Sequence, residues 1–493
     1  MLRVWSNFID GKWVRSSSGK TFKSYNPAKP SQTLGIFQQS NEQDVERAVS
    51  AAEKAFLFWS DVPAPGRARV LFKIRDLLTK NKQRLGKLVT TEMGKVFAEG
   101  LGDVQEAIDV FEYMAGEGRR LFGHTTPSEL RDKFCMTVRQ PIGIIGLITP
   151  WNFPIAIPAW KMSAALICGN TVVFKPSSDT PLCAAELVKL MNKAGVPPGV
   201  VNMVTGPGEN VGGTIIKHPK IHGISFTGHK DTGNYILKNA GIKKVGLELG
   251  GKNAIIIMDD ANLDLALEGV LWGAFGTTGQ RCTATSRVII HRAVQHRFEQ
   301  MLLERVHKLQ LGSGLSKDTD VGPLINQAAV DKSHKYVQIG KTEGATLLCG
   351  GGRPRMKGCY YNPTVFTNVT PTMRIANEEI FGPVLSLIPV NDLNEAIEVA
   401  NGVEYGLSAS IYTQDINKAF KAIKRIESGV MYVNASTIGA EVHLPFGGVK
   451  NTGNGTREAG IEGIHEFSEV KTVYVDFSGK LQKAQIDVMK VLK

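Results

Sequence analysis

Cys282 sits in the run GTTGQRCTA between Gly276 and Ala284, a thiol flanked by small residues. A thiol attacks as its thiolate, whose free pKa of roughly 8.5 falls beside a cation or a helix N-terminus. Arg281 supplies a cation one residue away, so a nucleophile is one reading of Cys282; a small buried hydrophobe is the other. Asn152 lies in TPWNFP (Thr149 to Pro154), directly after the apolar run Ile142 to Ile148, which reads as a loop leaving a buried strand. Its side-chain amide can donate to an oxyanion, work that is worth about 3 to 4 kcal/mol in comparable sites, or it is a turn residue. Glu248, between leucines in GLELGGKN (Gly246 to Asn253), reads as a partly buried carboxylate. Desolvation raises such a pKa and makes the group a better proton acceptor near neutrality; a buried, ion-paired Glu is the alternative. In ANEEIFGP (Ala376 to Pro383) an acidic pair and an aromatic ring share one short loop, where a carboxylate suits ribose hydroxyls.

These side chains need a scaffold. A length of 493 residues exceeds one ordinary core, so two or three domains are expected. Glu42 to Trp59 and Arg67 to Glu92 read as amphipathic helices, and helix dominates to about Gly123. From Ile142 strand and helix patterns alternate: Ile142 to Ile148, Ile155 to Cys168, Thr171 to Phe174, Ala184 to Lys193, Val200 to Val204, Gly223 to Thr227, Thr232 to Asn239, Lys244 to Leu249. Such alternation means a parallel sheet of the kind that binds dinucleotides at its strand ends. A second α/β series starts with Ala254 to Met258 and the helix Leu263 to Phe275 and runs to about Val433, so Cys282 is expected across a cleft from Glu248 and Asn152. Lys133 to Val138 and Lys471 to Phe477 alternate like exposed strands.

The net charge of +12 is spread along the chain without an aromatic-studded basic stripe, which argues against a nucleic-acid partner and for an anionic substrate or cofactor. Six cysteines without CxxC pairing fit a reducing cytoplasm, and scattered histidines without HExxH leave no metal ligand cluster. No apolar run is long enough to span a membrane, and none resembles a signal peptide.

The four segments in this order, with FKPS (Phe174 to Ser177), FTG (Phe226 to Gly228) and PFGG (Pro445 to Gly448), resemble the aldehyde dehydrogenase superfamily from Phe8 to Phe477. The resemblance implies an α/β fold with a Rossmann-type cofactor domain (1–122 and 142–250), a second α/β catalytic domain (251–445) and a small β oligomerisation flap (123–141 and 468–480). It implies a homodimer or homotetramer. It also implies NADP- or NAD-dependent oxidation of a small-molecule aldehyde through a thiohemiacetal and thioester on Cys282, with Asn152 as oxyanion donor and Glu248 as base. Cofactor contacts would come from Trp151, Lys175, Ser178, Gly208, Gly212, Phe226, Gly228, Gly233, Leu249, Glu379 and Phe381.

Gly206-Pro-Gly208 runs one residue too long to Gly212 for a G-x-G-x-x-G fingerprint, whereas Gly228 and Gly233 open a helix after a strand, a place that favours phosphate. His229 stands where family members usually carry Ser. Ser178 stands where many NAD-preferring members carry Glu; without that carboxylate the 2′-phosphate of NADP is admitted. On the substrate side, Phe153 and Arg281 are the candidates, Arg281 as partner of a distal carboxylate. QRCTATSRV (Gln280 to Val288), AGEG (Ala115 to Gly118) and Pro127-Ser128 look most like the branch that oxidises 2-oxoglutarate semialdehyde. Coenzyme-A-acylating members are a rival, which Glu248 and its glycine context argue against. A cysteine hydrolase using His443 or His291, or a non-catalytic structural protein, are rivals from other classes.

Overall fold

A computed structural model describes residues 2–488. The first sheet has seven strands in the spatial order Lys244–Glu248, Gly223–Thr227, Ile144–Ile148, Thr171–Lys175, Val201–Met203, Asn7–Ile9 and Lys12–Val14. The first five pair in parallel, and the N-terminal hairpin adds antiparallel at the far edge. All five residues of Ile144–Ile148 and of Thr171–Lys175 are buried, as parallel strands covered on both faces must be. In chain order the parallel strands read third, second, first, fourth, fifth from one edge, the doubly wound arrangement whose direction reverses between Ile144–Ile148 and Gly223–Thr227. A crevice is therefore forced at the carboxyl ends of those two strands.

Helices match the apolar periodicity closely. Asn41 and Asp44 form a reciprocal capping box that starts Glu42–Trp59 at its expected residue. The helix expected from Arg67 begins earlier, at Ala64, with Pro65 in its first turn, and it stops where Gly94 takes φ +104°. The helix expected from Ala184 likewise begins at Pro181. The extra residue between Gly208 and Gly212 is absorbed by one π-helical turn that runs on into Gly213–Lys217, which is how a single insertion is accommodated without breaking a helix.

The second sheet, also seven-stranded, has the order Thr346–Cys349, Thr364–Thr367, Val384–Val390, Thr285–His291, Asn253–Ile257, Ser408–Tyr412, Val430–Val433, with only its first pair antiparallel. After this sheet the chain returns to the first unit: Ala459, Ile464 and Phe467 pack into its core. A three-stranded antiparallel sheet of Thr125–Pro127, Lys133–Pro141 and Ser468–Asp476 stands apart and exposes Phe134, Tyr474, Val475 and Phe477.

Candidate active site

The turn that carries Cys282 is strained. Thr277 and Thr278 have φ of 50° and 58°, and Gly279 follows at 70°, three successive residues in the left-handed region where threonine is rarely found. Surrounding groups hold this conformation. Glu99 Oε1 accepts from Thr277 N at 2.8 Å and from Arg281 Nη2 at 2.9 Å. Thr278 Oγ1 donates to Gly322 O at 2.9 Å, and Gln280 Oε1 accepts from Ile325 N at 2.9 Å. Asn152 Nδ2 donates to Gln280 O at 3.2 Å, and Asn253 Nδ2 donates to Cys282 O at 2.7 Å. Gly251 is obligatory beside it, since a β-carbon there would stand 2.6 Å from Cys282 O.

Two cavities meet at the sulfur. One, of about 250 Å³, opens at the sheet's reversal point and is lined by Trp151, Asn152, Thr227, Gly228, His229, Leu249, Gly250, Cys282, Lys332, Glu379 and Phe381, among others. The other, of about 130 Å³, is lined on the far side by Glu106, Phe153, Ile157, Trp160, Glu248, Arg281, Thr283, Phe446 and Glu458. Thr227, Leu249 and Cys282 belong to both.

The chemistry of the first cavity's lining fits a nicotinamide riboside, with aromatic rings for the base and a carboxylate for ribose hydroxyls. Trp151 and Phe381 meet edge to face with centroids 5.5 Å apart. Glu379 is anchored by Gly251 N at 3.0 Å, and Gly250 must lack a side chain because a β-carbon would lie 2.5 Å from the Glu379 carboxylate. His229 takes the capping role at the start of Lys230–Asn239, its Nδ1 accepting from Asp231 N at 3.3 Å. Gly233 sits under Leu249, where a β-carbon would be 2.8 Å away.

Lys175, Ser178, Gly208 and Gly212 gather farther along the same strand ends. Ser178 Oγ donates to Gly206 O at 3.2 Å, Lys175 Nζ donates to Pro176 O at 3.1 Å, and the Lys175 side chain runs past Gly212. Burial brings the Lys175 ammonium down to about 8. Phe226 lines neither cavity; its ring is buried in the core beneath Gly228.

Electrostatics correct one expectation. Arg281 does not activate the adjacent sulfur, because successive side chains diverge and its guanidinium turns to Glu99 and to Thr277 Oγ1. The Cys282 thiol is instead pushed up to about 12 by burial and by the carboxylates of Glu248 and Glu379, with the Thr283 and Cys282 backbone N–H groups opposing. Glu248 is 3% exposed, neither carboxylate oxygen has a hydrogen-bond partner among the described residues, and burial together with Glu458 raises its pKa well above the carboxylate range. Behind it Lys161 Nζ pairs with Glu458 and donates to Ser225 Oγ at 2.9 Å. Gly447, from the PFGG segment, has φ +148° and gives Glu248 its room: a β-carbon would stand 2.7 Å from Oε1.

Neither hydrolase candidate serves the thiol. His291 caps Arg292–Val306, accepting from Ala293 N, and His443 is exposed beside Glu441.

Residues 13–473 match the aldehyde dehydrogenase family. The chain belongs to that family. It is an oxidoreductase acting on aldehydes. It is 42% identical over 475 residues to the alpha-ketoglutaric semialdehyde dehydrogenase of Bacillus subtilis (strain 168), covering 95% of this chain and 97% of the relative. It is 41% identical over 468 residues to the 2,5-dioxopentanoate dehydrogenase of Saccharolobus solfataricus, covering 94% and 98%. The crystal structure of an NAD-dependent aldehyde dehydrogenase from Sinorhizobium meliloti superposes with a TM-score of 0.95 at 37% identity, covering 98% of this chain and 97% of that one. Such relatives support the reading of a small semialdehyde as substrate.

The sequence reading missed Glu99, Glu106, Lys161, Lys332 and Glu458. Lys161 left a signal, as the one Lys, Arg, Asp or Glu in the largely apolar helix Ala156–Cys168.

Proposed function

We propose that this chain oxidises a small acidic semialdehyde, 2-oxoglutarate semialdehyde or a close analogue, to the dicarboxylic acid, with NADP or NAD as hydride acceptor and water as co-substrate. The observation that carries this is the placement of Cys282 between two cavities, with Glu248 and the Arg281 guanidinium both on the substrate side. Arg281 uses Nε and Nη2 on Thr277 and Glu99, and Nη1 carries no bond among the described residues. That edge is what a distal carboxylate would meet. Phe153, with the Lys95 ammonium 3.6 Å over its ring and the Arg281 guanidinium carbon 5.3 Å from the ring centroid, walls the same end.

Cys282 gives up its proton, with the raised Glu248 as the basic group on its side of the site, and its sulfur adds to the aldehyde carbon. The resulting oxyanion is held by Asn152 Nδ2 and the Cys282 backbone N–H, in a site from which bulk water is largely excluded. A nicotinamide held by Trp151, Glu379 and Phe381 would supply the hydride acceptor, and loss of the hydride leaves the acyl carbon as a thioester on Cys282. Glu248, having released the thiol proton to solvent, then takes the proton of a water that attacks this thioester, and carboxylic acid leaves as the sulfur is restored. Behind Glu248, Lys161 favours its ionised form and Glu458 opposes it.

The test is a panel of acidic and neutral aldehydes followed by reduced-cofactor absorbance with NADP and with NAD. Acidic aldehydes should be preferred and Cys282→Ala should be inactive; preference for neutral aldehydes would refute the substrate, and an active alanine variant the mechanism. The exposed apolar edge of the three-stranded sheet supports a homodimer or homotetramer, which sedimentation equilibrium resolves. Six unpaired cysteines support a cytoplasmic location, which fractionation checks.

A further inference from the structure

The second cavity is apolar along Phe153, Ile157, Trp160 and Phe446 and becomes polar where Glu106 and Arg281 face it together. A carboxyl group is an unexpected lining for a site that receives an anion. Glu106 lies in the middle of the helix Phe97–Glu117, and no residue among those described hydrogen-bonds to its carboxyl. Its neighbours are committed elsewhere. Asp103, one turn back, pairs with Lys95 Nζ at 3.1 Å and accepts from Ile155 N and Ala156 N at 3.3 and 2.7 Å. Glu99, on the same helix, is engaged by Arg281 and Thr277.

The charged groups acting on Glu106 are Asp103 and Asp109 from its own helix, Lys95 from the preceding loop and Arg281 from the nucleophile turn. Glu248 and Glu458, the latter paired with Lys161, line the same cavity. Burial and Asp103 outweigh the two cations and push the Glu106 carboxyl up to about 7. It therefore changes between hydrogen-bond donor and anion within the working range of an enzyme.

We propose that Glu106 and Arg281 together read the distal carboxylate of the substrate: protonated Glu106 donates to it beside Arg281 Nη1, and ionised Glu106 repels it. Selectivity for acidic over neutral aldehydes then declines as pH rises. This rests on the reading of an acidic semialdehyde as substrate. Glu106 is a specificity-determining residue in this scheme and takes no part in the covalent steps.

The experiment compares kcat/KM for succinate semialdehyde and for butanal between about pH 6 and about pH 9, since a ratio cancels the ionisation of Cys282 and Glu248 common to both substrates. In the wild type the acid-to-neutral ratio should fall by at least about tenfold across that range, the effect of placing one charge against another in a partly buried site. Glu106→Gln keeps a donor and cannot ionise, so its ratio should stay flat and exceed the wild-type value at high pH. Glu106→Met, which has neither donor nor charge, should be flat and lower than Gln. A Gln profile that falls in parallel with the wild type, while acid is still preferred, overturns the role of Glu106 and leaves the substrate reading intact. A ratio near unity at every pH in all proteins overturns the substrate reading and this inference with it. Should Glu106→Gln not fold, a flat wild-type profile, or a Met variant that tracks the wild type, decides against the proposal.

Discussion

One oxygen of Glu99, Oε1, receives both the guanidinium of Arg281 and the backbone N–H of Thr277, tying the helix Phe97–Glu117 to the two ends of the left-handed turn before Cys282. With side chains 12% and 13% exposed, Arg281 and Glu99 form a largely buried pair.

Removing one member of such a pair leaves a buried charge unpaired, a cost of about 3 to 5 kcal/mol. Glu99→Ala should lower the melting temperature by several degrees. It should also let the strained turn relax, and a misplacement of the nucleophile on the order of 1 Å reduces kcat about 100-fold. Glu99→Gln, which can still accept from Thr277 N, should lie between. Thermal melts and saturating kinetics check both; an alanine variant with wild-type kcat would mean that the turn keeps its shape without Glu99.

Burial and the Glu248 carboxylate both raise the Cys282 thiol, the carboxylate because it disfavours a second negative charge nearby. A thiol held at about 12 is protonated at neutrality, and its thiolate fraction grows with pH. Alkylation of the free enzyme by iodoacetamide should therefore accelerate as pH rises. Glu248→Gln removes one anion, so the alkylation midpoint should move to lower pH while turnover falls by roughly 100- to 10,000-fold with the loss of the base. A midpoint that moves upward instead would show that Glu248 promotes ionisation of the resting thiol more than it opposes it.

Ser178, whose Oγ donates to Gly206 O, offers no carboxylate at the position where the family resemblance implies that the 2′ position of the adenosine ribose is read. Ser178→Glu should raise the KM for NADP by at least about tenfold through charge repulsion and alter the KM for NAD far less. An unchanged ratio of kcat/KM for NAD over NADP would place the ribose elsewhere.

What could be read from the chain and what could not follows from the range of the signal. Apolar strands such as Ile144–Ile148, helix starts such as Asn41, and the segments holding Cys282, Asn152, Glu248, Glu379 and Phe381 are local patterns, and local patterns survive in a sequence. Glu99, Glu106 and Glu458 reach the site from helices and loops whose own periodicity is ordinary. Only the packing of Phe97–Glu117 and of the segment after Gly447 against the first sheet brings them there. Arg281 shows the opposite failure: adjacency along the chain suggested a partnership with Cys282 that side-chain direction forbids, since neighbours in a tight turn point apart.

Thr227, Leu249 and Cys282 form a party wall between two chambers, so the sulfur presents one flank to each. Whatever fills either side must meet the other at that single atom, and a change at any of the three partition residues should be felt in both compartments.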